Sequence, residues 1–252
     1  MNAATTPGEL AARLRDVDYV PDDGVATVTH LALSMQRPLL LEGDPGTGKT
    51  ALAASLAEAF EIPLIRLQCY EGIDAQTALY DWDFARQILH LQSIRATQAV
   101  SEPRDVDAVE GELYTERFLL ARPILRALKE SPAVLLIDEI DRADDEFEAL
   151  LLEVLSEYQV SIPEFGTVRA EVPPIVILTS NRTRELNDAL KRRCLYLWVD
   201  YPTAEKERDI IARRLPTLDT TLAAHIAATV QTLRQVDFYK RPGIAETLDW
   251  SR

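Results

Sequence analysis

The amino-acid sequence predicts an α/β fold in which five parallel strands form a sheet flanked by helices. Five apolar runs of strand length alternate with segments whose apolar residues recur at helical spacing. Helices between the strands act as crossovers, which make the strands parallel. Three runs end in polar side chains, as expected where a ligand lies along the carboxyl edge of an open sheet. The runs are Pro38–Glu42, Ile62–Gln68, Ala133–Glu139, Pro174–Asn181 and Leu195–Val199.

The composition indicates a globular protein with one α/β core and room for a small second domain. Its 252 residues are 47% hydrophobic, which is ordinary for a globular chain. No run approaches the roughly 18 apolar residues of a membrane span, and the first residues lack the pattern of a signal peptide. We therefore expect no transmembrane segment and a cytoplasmic location. Cys69 and Cys194 are too few and too far apart for a disulfide framework or a cysteine-ligated metal site.

The net charge argues against one class of partner. It is −14, from 27 Lys+Arg against 41 Asp+Glu. An acidic surface repels polyanions, so general nucleic-acid binding is disfavoured. A single nucleotide is not excluded by this argument, because its phosphates meet one local pocket rather than the whole surface.

Helical patterns account for most of the first half of the chain outside the strands. We expect two helices before the first strand, across Leu10–Leu14 and Val25–Met35. Another helix is predicted across Ile88–Ile94. The polar and acidic segment that follows, Ser101–Gly111, contains a proline and is predicted to be an exposed loop.

The middle of the chain shows helical spacing and then a hairpin. Apolar residues recur at helical spacing over Tyr114–Leu128, and Pro123 is well placed as the first residue of a new helix. A stripe over Phe147–Tyr158 predicts a helix packed on the core. Apolar residues alternate within Val160–Val172 on either side of a turn, so we expect a β-hairpin with Phe165 near its tip.

The end of the chain is predicted to be entirely helical. Thr203 caps one helix, and a second runs across Leu222–Leu233. No strand signal follows, so we expect an α/β domain over 1–202 and a small helical lid over 203–252. The first of these helices carries acidic residues in its first turn and basic residues in its last, as the helix dipole favours: Glu205, Glu207, Arg213 and Arg214.

A glycine-rich turn follows the first strand and precedes a helical pattern through Leu52, Leu56 and Phe60. It matches G-x-x-x-x-G-K-[ST] in the strand–loop–helix context that this motif requires. Backbone N–H groups and the helix N-terminus then converge on phosphates, while the lysine provides a cation for them and the hydroxyl serves Mg²⁺. The alternative is an ordinary glycine-rich turn. The residues of this segment, which we call the phosphate loop, are Gly43, Asp44, Pro45, Gly46, Thr47, Gly48, Lys49 and Thr50.

Several of these features together resemble an AAA+ ATPase. They are the phosphate loop, the apolar run Leu135–Glu139 with its terminal carboxylates, Asn181 at the end of its strand, and the arginines Arg192 and Arg193 before the last strand. Segments 138–143, 149–153 and 158–160 are more particularly similar to the MoxR family. Segments 70–74, 79–82 and 180–186 are similar to its CoxD-like branch, which accompanies carbon monoxide dehydrogenase and related molybdenum enzymes.

The resemblance implies roles for residues beyond the phosphate loop. Asp138 would hold Mg²⁺ through water, and Glu139 would orient and polarise the attacking water. Asn181 would be the sensor-1 residue, bonded to the γ-phosphate or to that water. Arg193 best matches the arginine finger that reaches the next subunit's nucleotide, with Arg192 as the alternative; a solvated basic cluster is the non-functional interpretation.

The lid is the part where the chain departs from the family pattern. Family members continue further, so the lid is expected to be shortened, and Arg241 is the nearby candidate for the sensor-2 arginine. The predicted hairpin matches one that in this clade faces the centre of a ring. Phe165 would then contact a substrate, unless it is packed down on its own domain.

The resemblance implies an ATP- and Mg²⁺-dependent remodelling ATPase, assembled as a homo-hexamer. Its partners would be a protein with a von Willebrand factor A domain and a metalloenzyme client such as carbon monoxide dehydrogenase, whose metal cofactor it helps to mature. One alternative is a nucleic-acid-dependent motor, which the acidic net charge disfavours. Another is a nucleotide-gated binding protein with little turnover, which the intact Asp138–Glu139 pair disfavours.

Overall fold

A five-stranded parallel sheet forms the centre of the protein, as the sequence predicts. A computed structural model describes residues 6–98, 111–236 and 241–251. The strands are β1 (Leu39–Glu42), β2 (Leu64–Gln68), β3 (Tyr80–Trp82), β4 (Leu119–Ala121), β5 (Val134–Asp138), β6 (Gln159–Ile162), β7 (Gly166–Arg169), β8 (Ile175–Ser180) and β9 (Leu195–Trp198). The main sheet has the order β2-β5-β8-β1-β9, and all its pairings are parallel.

Helices surround this sheet and form the end of the described chain. Those described with full bounds are α1 (Pro7–Asp16), α2 (Asp23–Met35), α3 (Lys49–Ala59), α4 (Ala75–Ala78), α5 (Phe84–Gln98), α6 (Pro123–Lys129), α7 (Asp145–Glu157), α8 (Asp188–Arg193), α9 (Ala204–Arg214), α10 (Thr220–Gln235) and α11 (Ile244–Trp250). Among the described residues, none of these helices is long and apolar enough to cross a lipid bilayer.

The register brings the polar ends of the strands to one edge. Glu42 lies opposite Ser180, and Gln68 lies opposite Asp138. The hydrogen bonds of a parallel ladder fix the strands relative to one another, so these ends stay at the same height. This edge is where the sequence places the ligand.

Alternate residues of the buried strands supply two hydrophobic cores, one on each face of the sheet. Leu39 and Leu41 pack with the helices before the sheet and with α3, whereas Leu40 and Leu178 belong to the larger core on the opposite face. Strands that are covered on both faces appear in the sequence as continuous apolar runs. A third, small cluster around Ile211 lies between α9 and α10.

The helix predicted from the spacing over Tyr114–Leu128 is wrong in the middle of that range. Leu119–Ala121 forms strand β4, which pairs antiparallel with the unpredicted strand β3. Trp82 of β3 packs edge-on against Tyr114, with ring centroids 5.2 Å apart. These tertiary contacts override a spacing that is compatible with a helix. Helix α6 does begin at Pro123, as predicted.

The other predicted elements are present with small differences. Strands β6 and β7 form the expected hairpin, with Val160 opposite Val168, although Val172 lies beyond it. Phe165 is half-buried and packs against the larger core, so its packed-down interpretation is the one observed. The exposed loop predicted over Ser101–Gly111 lies outside the described residues except for its last residue.

The C-terminal helices α9, α10 and α11 follow the sheet, and the described residues between them form no strand. The predicted cap of the first is confirmed, because the Thr203 hydroxyl oxygen accepts a hydrogen bond from the Lys206 N–H at 3.3 Å. The predicted division at 202/203 into two domains stays a prediction.

Candidate nucleotide-binding site

The phosphate loop connects β1 to α3 and is folded back on its own lysine. Gly46 and Gly48 have φ angles of +83° and +92°, in the region that glycine adopts without strain. Lys49 is the first residue of α3, and its Nζ donates to the carbonyl oxygens of Gly43 at 2.7 Å and of Asp44 at 2.8 Å. The ammonium group therefore sits inside the loop, at the place where a phosphate would offer it stronger acceptors.

The surroundings of Lys49 act on its charge in two directions. Burial lowers the pKa of the ammonium group, because a charged group loses hydration there. Nearby carboxylates oppose this shift: Asp141, Asp44, Asp138 and Glu139. A bound polyphosphate would add negative charge beside the lysine and favour its protonated form further.

Asp138 and Thr50 meet at the end of β5. The Thr50 hydroxyl donates to Asp138 Oδ1 at 3.1 Å, and the Thr179 hydroxyl donates to the same oxygen at 2.5 Å. Arg66 donates to the other oxygen, Oδ2, at 2.5 Å. A hydroxyl and a carboxylate are the oxygen ligands that Mg²⁺ prefers, and Mg²⁺ usually keeps several waters beside one or two such groups. The donor set at this position therefore fits that ion.

Glu139 is held in place through its backbone N–H and by three side chains that contact its carboxylate. It has a left-handed backbone, with φ 55° and ψ 50°, and its N–H donates to the Thr179 hydroxyl at 2.9 Å. Asn181 Nδ2 donates to Oε1 at 3.2 Å, and Gln68 Nε2 donates to Oε2 at 3.2 Å. Arg142 forms an ion pair with Oε2 at 2.9 Å. The carboxylate is thus oriented at the mouth of the site, with about a third of its side chain exposed.

One cleft of about 420 Å³ brings the predicted side chains together. Lys49, Thr50, Asp138, Glu139 and Asn181 all line it. Two of its polar side chains were not predicted from the sequence, Arg66 and Thr179. Thr179 has a signal that points to it, since it lies at the carboxyl end of a strand beside β5; Arg66 has none, because an alternating exposed arginine in a strand is common.

The two candidate finger arginines are exposed and lie elsewhere. Arg192 and Arg193 end α8 and do not line the cleft. Arg193 Nε donates to the Ser156 hydroxyl at 3.0 Å, and the backbone carbonyls of both residues accept from Arg37. The end of α8 is thus anchored by the two carbonyls and by the contact between Arg193 and Ser156, while both arginines are exposed.

Helix α11 and the segment between β9 and α9 contact the phosphate loop directly. The Ile244 N–H donates to the Gly46 carbonyl at 2.9 Å, and the Tyr201 hydroxyl donates to the Pro45 carbonyl at 3.1 Å. Arg241 is exposed and is absent from the cleft lining, although its charge opposes the burial that raises the pKa of Tyr201. The structure therefore places Arg241 near Tyr201 and outside the lining of the cleft.

A second, mostly apolar cavity of about 400 Å³ adjoins the loop at Thr47 and Gly48. Tyr19 and Val20, between α1 and α2, form one side, and residues of α9 and α11 form the other. An apolar slot beside a phosphate site is suited to the flat face of a nucleobase. Its lining also includes Ala51, Val199, Ile210, Ile244 and Leu248.

Comparisons with known proteins agree with this geometry. The family described as AAA domain (dynein-related subfamily) matches residues 38–194. The chain is 26% identical over 219 residues to an uncharacterized protein of Staphylococcus haemolyticus, covering 84% of this chain and 74% of the relative. It is 29% identical over 196 residues to an uncharacterized protein of Staphylococcus aureus, covering 75% of this chain and 65% of the relative.

A solved structure shares the fold. The crystal structure of a candidate ATPase of Cytophaga hutchinsonii superposes with a TM-score of 0.51 at 18% identity, over 82% of this chain and 58% of that chain. The chain thus spans less than two thirds of that protein's length. At this identity the likeness shows the fold alone.

Proposed function

Since the chain belongs to the AAA domain family (dynein-related subfamily), whose members bind nucleotides, we propose that it hydrolyses ATP with Mg²⁺ as cofactor to remodel a partner protein. The observation that carries this proposal is the convergence of Lys49, Thr50, Asp138, Glu139 and Asn181 on one cleft beside the phosphate loop. A structural turn would not need a cation, a metal-type donor pair and an oriented carboxylate in one place.

Each side chain has a role that its contacts support. Lys49 exchanges the loop carbonyls for oxygens of the β- and γ-phosphates, which are stronger acceptors because they are charged. Thr50 and Asp138 would hold Mg²⁺, which would supply positive charge to neutralise those oxygens. Glu139 accepts a proton from the attacking water and orients it. Asn181, already bonded to Glu139 Oε1, fixes the carboxylate or contacts the γ-phosphate.

The adjoining apolar cavity would take the base. Its walls belong to the segment between α1 and α2 and to the C-terminal helices, so a bound nucleotide would touch both parts of the chain. Nucleotide binding and release would therefore change the position of α9 and α11 relative to the phosphate loop. Such a motion is the mechanical output that a remodelling ATPase needs.

We infer that the transition-state cation comes from a second copy of the chain. Arg193 is exposed and lies outside the cleft of its own subunit, so it can act only in a neighbour's site, with Arg192 as the alternative. An arginine finger contributes about 10³ to 10⁵ in rate. This arrangement supports a ring, for which we propose six subunits.

The finer assignment follows the resemblance to the MoxR family and its CoxD-like branch. We propose that the client is a metalloenzyme such as carbon monoxide dehydrogenase, whose metal cofactor matures with help from this ATPase, and that a protein with a von Willebrand factor A domain is the adaptor. The acidic net charge of −14 agrees with protein partners rather than nucleic acid.

The first experiment separates nucleotide binding from hydrolysis. Glu139→Gln should bind a fluorescent ATP analogue with Mg²⁺ about as tightly as the wild type, while phosphate release falls by about 10² to 10⁴ because the general base is lost. The matched control is Glu146→Gln, which changes an exposed carboxylate at the start of α7. Unchanged hydrolysis in Glu139→Gln would remove this carboxylate from the mechanism.

A second experiment addresses the class of machine. A ring whose finger acts between subunits should show a specific ATPase rate that rises with protein concentration as the ring assembles. A rate per chain that is constant over a wide range would contradict the ring. Stimulation of the rate by DNA or RNA would favour the nucleic-acid motor instead.

A further inference from the structure

Arg66 is a cation at the metal-binding end of the cleft that no sequence motif assigns. It lies on β2, and about half of its side chain is exposed. Its guanidinium donates to Asp138 Oδ2 at 2.5 Å and to Gln68 Oε1 at 2.7 Å. The side chain therefore reaches over the edge of the sheet toward the position where Thr50 and Asp138 meet.

Asp138 needs a counter-charge when no metal is bound. Its side chain is only 6% exposed, and a buried carboxylate is costly unless it is paired. The hydroxyls of Thr50 and Thr179 both donate hydrogen bonds to Oδ1. Within the described part of the chain, the ion pair that Asp138 forms is with Arg66, and it occupies Oδ2.

We propose that Arg66 is a positioning residue that holds Asp138 in the metal-free state and gives up this carboxylate to Mg²⁺ when Mg²⁺ and ATP enter together. This inference rests on the proposed ATPase function. A guanidinium and a hydrated Mg²⁺ are both cationic hydrogen-bond donors, and both are drawn to the same carboxylate. Thr50 meets Oδ1 and Arg66 holds Oδ2, so it is the repulsion between two neighbouring cations, rather than competition for one oxygen, that would move the guanidinium away.

The exchange has two consequences for nucleotide binding. Without metal, Arg66 masks the negative charge of Asp138, so that phosphates are repelled less strongly. With metal, Arg66 must be displaced, so that the gain in ATP affinity from Mg²⁺ is smaller than Asp138 alone would give. Both effects reduce the ratio between the ATP affinities measured with and without Mg²⁺.

The test measures this ratio directly. The dissociation constant of a fluorescent ATP analogue is determined in EDTA and in excess MgCl₂. The value in EDTA divided by the value in MgCl₂ is the quotient that measures the coupling between metal and nucleotide. We expect Arg66→Met to raise this quotient about 3- to 10-fold, a modest change because the guanidinium is partly solvated. Arg66→Lys, which keeps the charge, should stay near the wild-type value.

The controls identify the contact through which Arg66 acts. Arg126→Met removes an arginine of similar exposure on α6, which pairs with Glu130 just after that helix, and it should leave the quotient unchanged. In an Asp138→Asn background, Arg66→Met should add no further change, because the shared carboxylate is gone. Should Arg66→Met fail to fold, Arg66→Gln serves in its place.

The outcomes distinguish this inference from the proposed function. A wild-type protein that does not bind the analogue with Mg²⁺ contradicts the ATPase itself. A wild type that binds, together with an unchanged or lower quotient in Arg66→Met, overturns the role of Arg66 alone. A lower quotient would mean that Arg66 helps Mg²⁺·ATP rather than competing with the metal.

Discussion

A buried ion pair joins the three C-terminal helices, and breaking it should be costly. Glu207 of α9 is completely buried, and its oxygens accept from Arg234 Nη1 at 2.8 Å and Nη2 at 2.7 Å. Gln231 and Thr247 donate to the same carboxylate at 3.0 Å and 2.7 Å. The side chain of Arg234 is 6% exposed. We predict that Arg234→Met lowers the free energy of unfolding of the part of the chain that contains these helices.

The expected size follows from what remains after the change. Arg234→Met leaves the Glu207 charge buried with two neutral donors, and breaking a buried pair in this way costs about 3–5 kcal/mol. It also removes the contact of the guanidinium with the Tyr201 ring, at 4.7 Å, which is worth about 0.5–2 kcal/mol. The surface pair of Arg126 and Glu130 is the contrast, because an exposed i,i+4 pair contributes only about 0.3–0.5 kcal/mol.

Urea unfolding followed by far-UV circular dichroism measures these free energies. The double variant Glu207→Met/Arg234→Met should be more stable than Arg234→Met alone by about 2 kcal/mol, since no unpaired charge stays buried. Thr247 can keep its second contact, to the Gly243 carbonyl at 3.0 Å. The reasoning would be refuted if the double variant lost as much free energy of unfolding as Glu207→Met and Arg234→Met lose in sum. It would also be refuted if Arg234→Met lost no more than Arg126→Met.

Three further predictions concern the phosphate loop, the thiols and the finger. Gly46→Ala places a Cβ about 2.8 Å from the Gly243 Cα at a φ of +83°, so ATP affinity measured by fluorescence should fall at least about tenfold; unchanged affinity would contradict the observed contact. Burial raises the pKa of Cys69 and of Cys194 to about 12, so at pH 8 only about one thiol in 10,000 is ionised and neither should react with Ellman's reagent before unfolding; rapid labelling would show that one is accessible. Arg193→Ala should bind ATP and assemble normally yet lose hydrolysis about 10³-fold or more, and full activity would direct attention to Arg192.

The sheet and the phosphate-facing side chains were predictable because their signals are local. Apolar runs such as Leu135–Glu139 report burial on both faces, and a parallel sheet brings the ends of such strands to one edge. The positions of Lys49, Asp138 and Asn181 in one cleft follow from this rule. The catalytic roles assigned to them stay predictions until the variants are measured.

The contacts that were not predicted depend on residues distant in sequence. Strand β3 is three residues long, and it exists because β4 pairs with it across about forty residues. Glu207 was interpreted as a dipole-favoured carboxylate in a first turn, yet its side chain is buried against Arg234, 27 residues further on. Helical spacing describes which residues share a face, but it does not identify the partner that the face meets.

The unpredicted contacts matter because they converge on the phosphate loop. Arg234 Nε donates to the Pro242 carbonyl at 2.8 Å, and Ile244, two residues later, donates through its backbone to Gly46. On the other side, the Gly43 N–H donates to the Ser180 carbonyl at 3.3 Å, which ties the loop to the sheet. A backbone-to-backbone hydrogen bond cannot adapt by changing a rotamer, so a loop that opens to admit phosphates must either carry α11 with it or break the contact. Because the buried pair fixes α11 to α9 and α10, a loop that carries α11 with it would move the three C-terminal helices together, whereas a loop that breaks the contact would leave them in place.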